Sequence, residues 1–232
     1  MPRALDAYTR TAERDAGEVI ACYSTSFGMA TRLLGVRHRQ HIRNVYALVR
    51  VADEIVDGVC QEAGLDLEAQ ETTLERFIAE THRDLVVHAF ARTAREAGIG
   101  RDLIDPFFAS MRSDLHHDDA PFDDRAHDTY VHGSAEVVGL MCLAVFVRDE
   151  RLSPAARDQL AFGASRLGAA FQDVNFLRDL SDDTYRLGRA YLGTAQRLTT
   201  ADRDRIVARI RNQLADAEAA ICLLPIDARV AV

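Results

Sequence analysis

Hydrophobic positions along this 232-residue chain recur at three- and four-residue intervals, and no segment keeps the alternation of a half-buried strand. That period predicts an all-α protein. Helices are expected over Arg3 to Cys22, Arg37 to Asp57, Leu65 to Glu80, Arg83 to Ala97, Arg101 to Leu115, Asp124 to Phe146, Pro154 to Asp183 and Thr200 to Cys222. The breaks carry recognisable chemistry. Gly98 and Gly100 separate two helices, Asp118 to Asp124 with Pro121 reads as a polar loop, and Ser153 before Pro154 is an N-cap signal. No linker or low-complexity tract divides the chain, so residues 1–232 are expected to form one domain.

Two of these segments have an unusual distribution of charge. At 100° per residue, Arg39, Arg43, Tyr46, Arg50, Asp53 and Asp57 fall on one narrow stripe of the helix RQHIRNVYALVRVADEIVDG. Ile42, Val45, Leu48, Val49, Val51, Ala52, Ile55 and Val56 cover its flanks. A helix that apolar is expected to be buried, with its charged stripe facing an internal polar space. The segment GAAFQDVNFLRDLSDDTYRLGR repeats the arrangement: Gln172, Asn175, Asp179 and Asp183 share a stripe that begins at Gly168 and ends at Arg186. Phe171, Val174, Leu177 and Leu180 occupy the remaining circumference. The bland alternative is a set of exposed ion pairs, each contributing a few tenths of a kcal/mol, ~0.3–0.5 for helical pairs.

Two carboxylate pairs at i, i+4 on two apolar helices favour a shared site. Facing carboxylates repel at low dielectric unless cations lie between them. Magnesium fits, since it takes oxygen ligands, one or two carboxylates per ion, and fills its shell with water and phosphate oxygens. Zinc does not fit, because the stripes carry no His or Cys. The chemistry such a site supports is ionisation of a diphosphate ester, with metal and arginine stabilising the departing pyrophosphate.

Composition narrows the partners. The formal net charge is −8, and all 28 basic residues are arginine. An acidic chain is a poor binder of phosphate backbones, so nucleic acid is excluded as a partner. Cys22, Cys60, Cys142 and Cys222 have no zinc-like spacing and are expected to be apolar core residues in a reducing compartment. His116, His117, Asp118 and Asp119 read as a solvated acidic turn, because neighbours in a loop seldom converge on one ion. MPRALDAYTR lacks the apolar stretch of a signal peptide, and the apolar run Val137 to Val147 is too short for a bilayer. A cytoplasmic protein is expected, at most peripheral to the inner membrane face.

The residues of the two stripes also carry a family resemblance. Tyr23 to Asp57, YSTSFGMATRLLGVRHRQHIRNVYALVRVADEIVD, resembles the first signature of squalene and phytoene synthases. Phe171 to Leu192, FQDVNFLRDLSDDTYRLGRAYL, resembles the second, and YVHGSAEVVGLM, Tyr130 to Met141, is similar to the central helix. The resemblance implies an all-α isoprenoid synthase fold, with helices around a deep cavity. It implies that Asp53, Asp57, Asp179 and Asp183 hold magnesium, or manganese in its place, with Asn175 able to join them. Ser24, Phe27, Tyr46, Arg50, Tyr130, Gln172 and Asn175 would contact substrate.

The implied reaction joins two prenyl diphosphates head-to-head through a cyclopropylcarbinyl diphosphate. Two geranylgeranyl diphosphates giving phytoene, a step of carotenoid biosynthesis, is the first choice. The alternatives are squalene or dehydrosqualene formation from farnesyl diphosphate, with NADPH needed only for squalene, or a noncatalytic helical scaffold. A hydrocarbon product makes membrane lipid a natural partner at the cavity exit. Four departures stand out: Glu54 for Asp, off the stripe and without expected effect; Asp173 for an apolar residue; Glu136 for Gly; and Gly193 for the Pro that usually follows Tyr191 and Leu192. The resemblance also implies closing C-terminal helices beyond Val232, so the domain is expected to lack its last helices.

Overall fold

The computed structural model describes residues 4–57, 59–79, 83–116, 124–185 and 199–232, with backbone alone at 61, 124 and 179–185. The described residues are helical and contain no strand. In chain order they form α1 (Ala4–Tyr23), α2 (Thr25–Leu33), α3 (Val36–Asp57), α4 (Val59–Glu62), α5 (Leu67–Ala79), α6 (Leu85–Ala97) and α7 (Arg101–Leu115). Then follow α8 (Asp124–Val131), a π turn (His132–Glu136), α9 (Val137–Val147), α10 (Pro154–Tyr185), α11 (Thr200–Ile221) and α12 (Ile226–Arg229). Every expected helix is present to within a few residues. The expected loop Asp118 to Asp124 lies almost entirely outside the described residues.

Helix ends follow local chemistry. Ser153 caps α10, its Oγ accepting from Ala156 N at 3.2 Å. Asp84 caps α6 by accepting from Val87 N at 2.9 Å, and Gly98 ends that helix at φ +70°, the left-handed conformation glycine adopts at least cost. Thr199 and Asp202 form a reciprocal capping box at the start of α11. Helix α2 has no counterpart among the helices expected from periodicity. Its Ser, Thr and Gly content resembles a loop, yet Ser24 Oγ accepts from Phe27 N at 3.1 Å and supplies the N-cap.

The residues group into two compact units. The first comprises 1–101, 141–151 and 224–232, the second 102–140 and 152–223. In the first, α1 packs on α3 and α6, and α3 packs on α6. Ala12, Ala16 and Ile20 line one buried face of α1; Val45, Leu48 and Ala52 come from α3, and Val87 and Phe90 from α6. Each fully buried Val, Leu or Phe contributes about 1.5–3 kcal/mol. Asn44 is buried among them, donating to Ala89 O (3.2 Å) and Thr93 Oγ1 (3.0 Å) and accepting from Gln40 Nε2 (2.9 Å).

The C-terminal segment belongs to this unit through Asp227. Arg37 donates to both of its carboxylate oxygens, Nε at 2.8 Å and Nη2 at 3.0 Å, and the buried His38 contacts it through Nε2 at 3.3 Å. Gly35 N donates to Asp227 O at 2.7 Å. A Cβ at Gly35 would lie 2.6 Å from Asp227 Oδ2, so glycine is required for the close approach.

In the second unit, α10 packs along α11 and against the π turn. Glycines permit backbone contact there: a Cβ at Gly168 would fall 2.4 Å from Ala135 O, and one at Gly139 2.4 Å from Ala164 O. Gly168, expected to open the polar stripe, is therefore a packing residue. The π turn fuses α8 and α9 into one helical span, so Arg125–Val147, with mean hydropathy 1.7 over its most apolar window, is by length and composition able to cross a membrane. The apolar run alone was expected to be too short, but the joined span is 23 residues. Within the fold, Val137, Met141 and Val145 on it are fully buried, as in a core helix. Cys60 is buried as expected, whereas Cys22 and Cys222, at helix ends, are exposed.

Candidate functional site

In the first unit the expected site residues of α2 and α3 assemble around Arg50. One side of its guanidinium donates from Nη1 to Asp53 Oδ2 at 2.6 Å, and Nη2 contacts Glu54 Oε1. Its carbon lies 4.8 Å from the centre of the Tyr23 ring, a cation–π contact. Arg50 Nε is buried and has no hydrogen-bond partner among the described residues. Nε is thus withheld from water, while Nη1 and Nη2 each make one contact with a carboxylate.

Tyr46, one turn before Arg50, is half-buried. Burial pushes its phenol above the usual range, against opposing influences from Arg50 and from the Ser24 hydroxyl. Its ring lies 6.0 Å from that of Phe27, which is 49% exposed. Ser24, Phe27, Tyr46, Arg50 and Asp53 therefore form one contiguous group, with Asp57 one turn further along α3. All the α3 members are half-buried.

The stripe differs from expectation at its start and at its edge. Arg39 turns to the C-terminal end of α2, donating to the carbonyls of Thr31 (3.1 Å), Arg32 (2.9 Å) and Leu34 (2.9 Å), acceptors that no intrahelical donor reaches. Glu54, expected to have no effect, shares Arg50 with Asp53. Its i, i+4 spacing brings a long carboxylate side chain within reach although the position lies off the stripe. The ion-pair alternative is thus realised in part, by the same arginine that borders the carboxylates. Tyr23 was also missed; the signal was an aromatic at the end of α1 preceding the Ser24 cap.

In the second unit Tyr130 is buried and its hydroxyl donates to Asp114 Oδ2 at 2.9 Å. Its ring lies 6.0 Å from Phe176 on α10. Gln172 and Asn175 are half-buried, and the unbroken α10 backbone carries Asp179 and Asp183 one turn apart on the same stripe; the side chains of these two aspartates lie outside the described residues. Arg186 lies outside them altogether.

The rest of α10 departs from the expected apolar circumference. Phe171 is 47% exposed and Val174 43%, whereas the buried face is made by Ala169, Ala170, Asp173 and Phe176. Small alanines permit the approach of Ile206 and Ile210 from α11, and Asp173 is buried because it is fully partnered. Asp114 escaped the sequence reading because nothing in its own neighbourhood indicates that Tyr130, sixteen positions away, will seek it.

Chemically, the first unit offers two carboxylates a turn apart beside a half-buried guanidinium. The second offers a buried phenol, two half-buried amides and a helix bearing two further aspartates. Among the described residues no three His, Cys, Asp or Glu side chains converge as a metal-binding group. The α3 carboxylates nonetheless match a hard oxygen-seeking ion by donor type.

The squalene/phytoene synthase family model matches residues 20–232. The chain is 32% identical over 196 residues to chloroplastic phytoene synthase 3 of Zea mays, covering 82% of this chain and 45% of the maize protein. It is also 32% identical over 202 residues to the 15-cis-phytoene synthase of Synechococcus elongatus, covering 82% and 63%. The chain thus spans between about half and two-thirds of the length of these relatives. A dehydrosqualene synthase crystal structure superposes with a TM-score of 0.77 at 25% identity, over 96% of this chain and 81% of that one. A squalene synthase of Alicyclobacillus acidocaldarius gives a TM-score of 0.75 at 19% identity, over 96% and 88%, which speaks for the fold. On the family match, with the fold in agreement, the chain belongs to the squalene/phytoene synthase family.

Proposed function

We propose that this chain condenses two prenyl diphosphates head-to-head with loss of diphosphate, and that its substrates are two geranylgeranyl diphosphates, giving phytoene through a cyclopropylcarbinyl diphosphate. The observation that carries the reading is Arg50, a half-buried guanidinium held against Asp53, Glu54 and Tyr23 on the stripe of α3. A guanidinium so placed suits a diphosphate oxygen, since its planar donors match phosphate geometry. The similarity to phytoene synthases of plants and cyanobacteria supports geranylgeranyl diphosphate over the shorter farnesyl diphosphate.

In this reading the working aspartates are those that α3 carries in the first unit and α10 in the second. Asp53, Asp57, Asp179 and Asp183 would hold magnesium, with Asn175 as an additional oxygen ligand; α3 fits by donor type. The bound ion would neutralise the departing pyrophosphate. Ser24, Tyr46 and Gln172 would orient the diphosphates, while Phe27 and Tyr130 present aromatic faces to the reacting carbons. The apolar flanks of these helices would exclude water from carbocations. A cytoplasmic enzyme that releases a hydrocarbon would make peripheral contact with membrane lipid at the cavity exit.

The test is incubation with geranylgeranyl or farnesyl diphosphate, magnesium or manganese, and NADPH where indicated, followed by product mass spectrometry and pyrophosphate assay. Phytoene from the C20 substrate without NADPH is the expected result. A C30 product alone would move the assignment to dehydrosqualene or, with NADPH, squalene. Consumption of one diphosphate per product, or no turnover under any condition, would overturn the head-to-head reading.

A further inference from the structure

Asp173 has no exposed surface, yet burial of an ionised carboxylate costs several kcal/mol, on the order of 3 or more, unless partners compensate. Three donors converge on it from two other helices. His127 Nε2 of α8 lies 3.1 Å from Oδ1, Arg209 Nη2 of α11 donates to Oδ1 at 2.8 Å, and Gln213 Nε2 of α11 donates to Oδ2 at 3.1 Å. Among the described residues Gln213 Oε1 and Arg209 Nε have no partners, so the cluster is organised around the carboxylate at the expense of other hydrogen-bonding capacity.

The location gives this cluster a consequence. Asp173 and Phe176 are three residues apart on the buried face of α10, and Phe176 touches both His127 and Tyr130, with ring centroids 5.8 and 6.0 Å away. His127 and Tyr130 are likewise three apart on α8, so the same pair of helix faces meets twice, once through charge and once through aromatic packing. On the adjoining side of α10 stand Gln172 and Asn175. Arg209 and Gln213, one turn apart on α11, grip both carboxylate oxygens, so a slip of α11 by one turn would lose both contacts. An apolar residue would fill the space equally well and would not fix this rotation.

We infer that Asp173 is a positioning residue that locks α8, α10 and α11 in one register and thereby sets Tyr130 against Phe176, on the helix that carries Gln172 and Asn175. The inference rests on the proposed reaction for its kinetic readout, and amide hydrogen exchange provides a readout independent of it. Asp173→Asn keeps the shape and removes the charge. The expected result is a fall in kcat of about tenfold or more with KM changed by less than about threefold, since misplacement of reacting groups affects the transition state more than ground-state binding. Exchange should accelerate in both α8 and α11, with α1, α3 and α6 unchanged.

His127→Gln retains a donor toward Asp173 and should restore most of the wild-type kcat. His127→Leu removes one of the three donors, and it carries the same expectation at smaller amplitude should Asp173→Asn fail to fold. A kcat within about twofold of wild type, a loss confined to KM, or accelerated exchange limited to α10 would overturn the inference. If the wild-type chain releases no pyrophosphate from any prenyl diphosphate, the proposed reaction falls, and the exchange experiment alone decides: acceleration in α8 and α11 together upholds the positioning role, and its absence refutes it.

Discussion

The same substitution at two helical glycines should move stability in opposite directions. Gly17 lies within α1, where an added Cβ would find nothing closer than Arg43 Nη1 at 3.9 Å. Gly168 lies within α10, where the Cβ would meet Ala135 O at 2.4 Å and its carbonyl carbon at 2.9 Å. Alanine is favoured over glycine inside a helix by about 1 kcal/mol. At Gly17 nothing opposes this, and the melting temperature should rise by about 2–4 °C for a chain of this size. At Gly168 the obstacle is backbone, which cannot rotate away, so α10 and the π turn must separate by about 1 Å to restore ordinary contact. Overpacking of this kind costs about 2–3 kcal/mol. Less the helix-forming gain, Gly168→Ala should lose about 1–2 kcal/mol and about 2–8 °C. Calorimetry and urea unfolding of the two variants beside wild type provide the assay. Shifts of the same sign, or a Gly168→Ala variant as stable as wild type, would refute the argument that backbone contact selects glycine there.

Other consequences are measurable. Asp227→Asn removes the paired acceptor of Arg37; because its side chain is 33% exposed, solvent screening limits the loss to about 1–2 kcal/mol. Arg37, with His38 adding to it against the effect of burial, holds the Asp227 carboxyl well below the usual range. Its contribution is therefore present above the unfolded carboxylate value near pH 4 and disappears as pH falls toward the folded value, so melting curves of wild type and variant should converge below about pH 4. Asn44→Ala removes the side chain that bridges Ala89 O, Thr93 and Gln40 in the α3–α6 contact, and although Thr93 keeps His41 and Gln40 keeps Glu13 O, urea unfolding should register a loss of about 1–3 kcal/mol at unchanged m value. Arg50→Gln should slow pyrophosphate release by about 10²-fold, the scale of a lost electrostatic contact to a leaving group, while a half-exposed ion pair makes its melting shift less than about 3 °C.

Periodicity alone was sufficient to locate the long helices, and spacing alone placed Asp53 with Asp57 and Asp179 with Asp183 one turn apart, because helical geometry is local and repeats every 3.6 residues. Caps were similarly legible where a side chain serves its own backbone a few residues on, as at Ser153. What required the tertiary structure was the choice among partners distant in sequence. Arg39 and Arg50 are the same residue type on the same stripe, yet one closes the end of α2 and the other borders the carboxylates; only the position of α2 separates them. Asp173 reads as an intrusion in an apolar helix until His127, Arg209 and Gln213 arrive from elements 36 to 46 residues away. Gly168 reads as part of a polar stripe until the backbone of Ala135 is brought against it. Local sequence determines which atoms a residue presents and in which direction along its helix. Whether burial makes those atoms a packing contact, a buried charge or a site depends on long-range neighbours, whose approach is set by the summed packing of every helix.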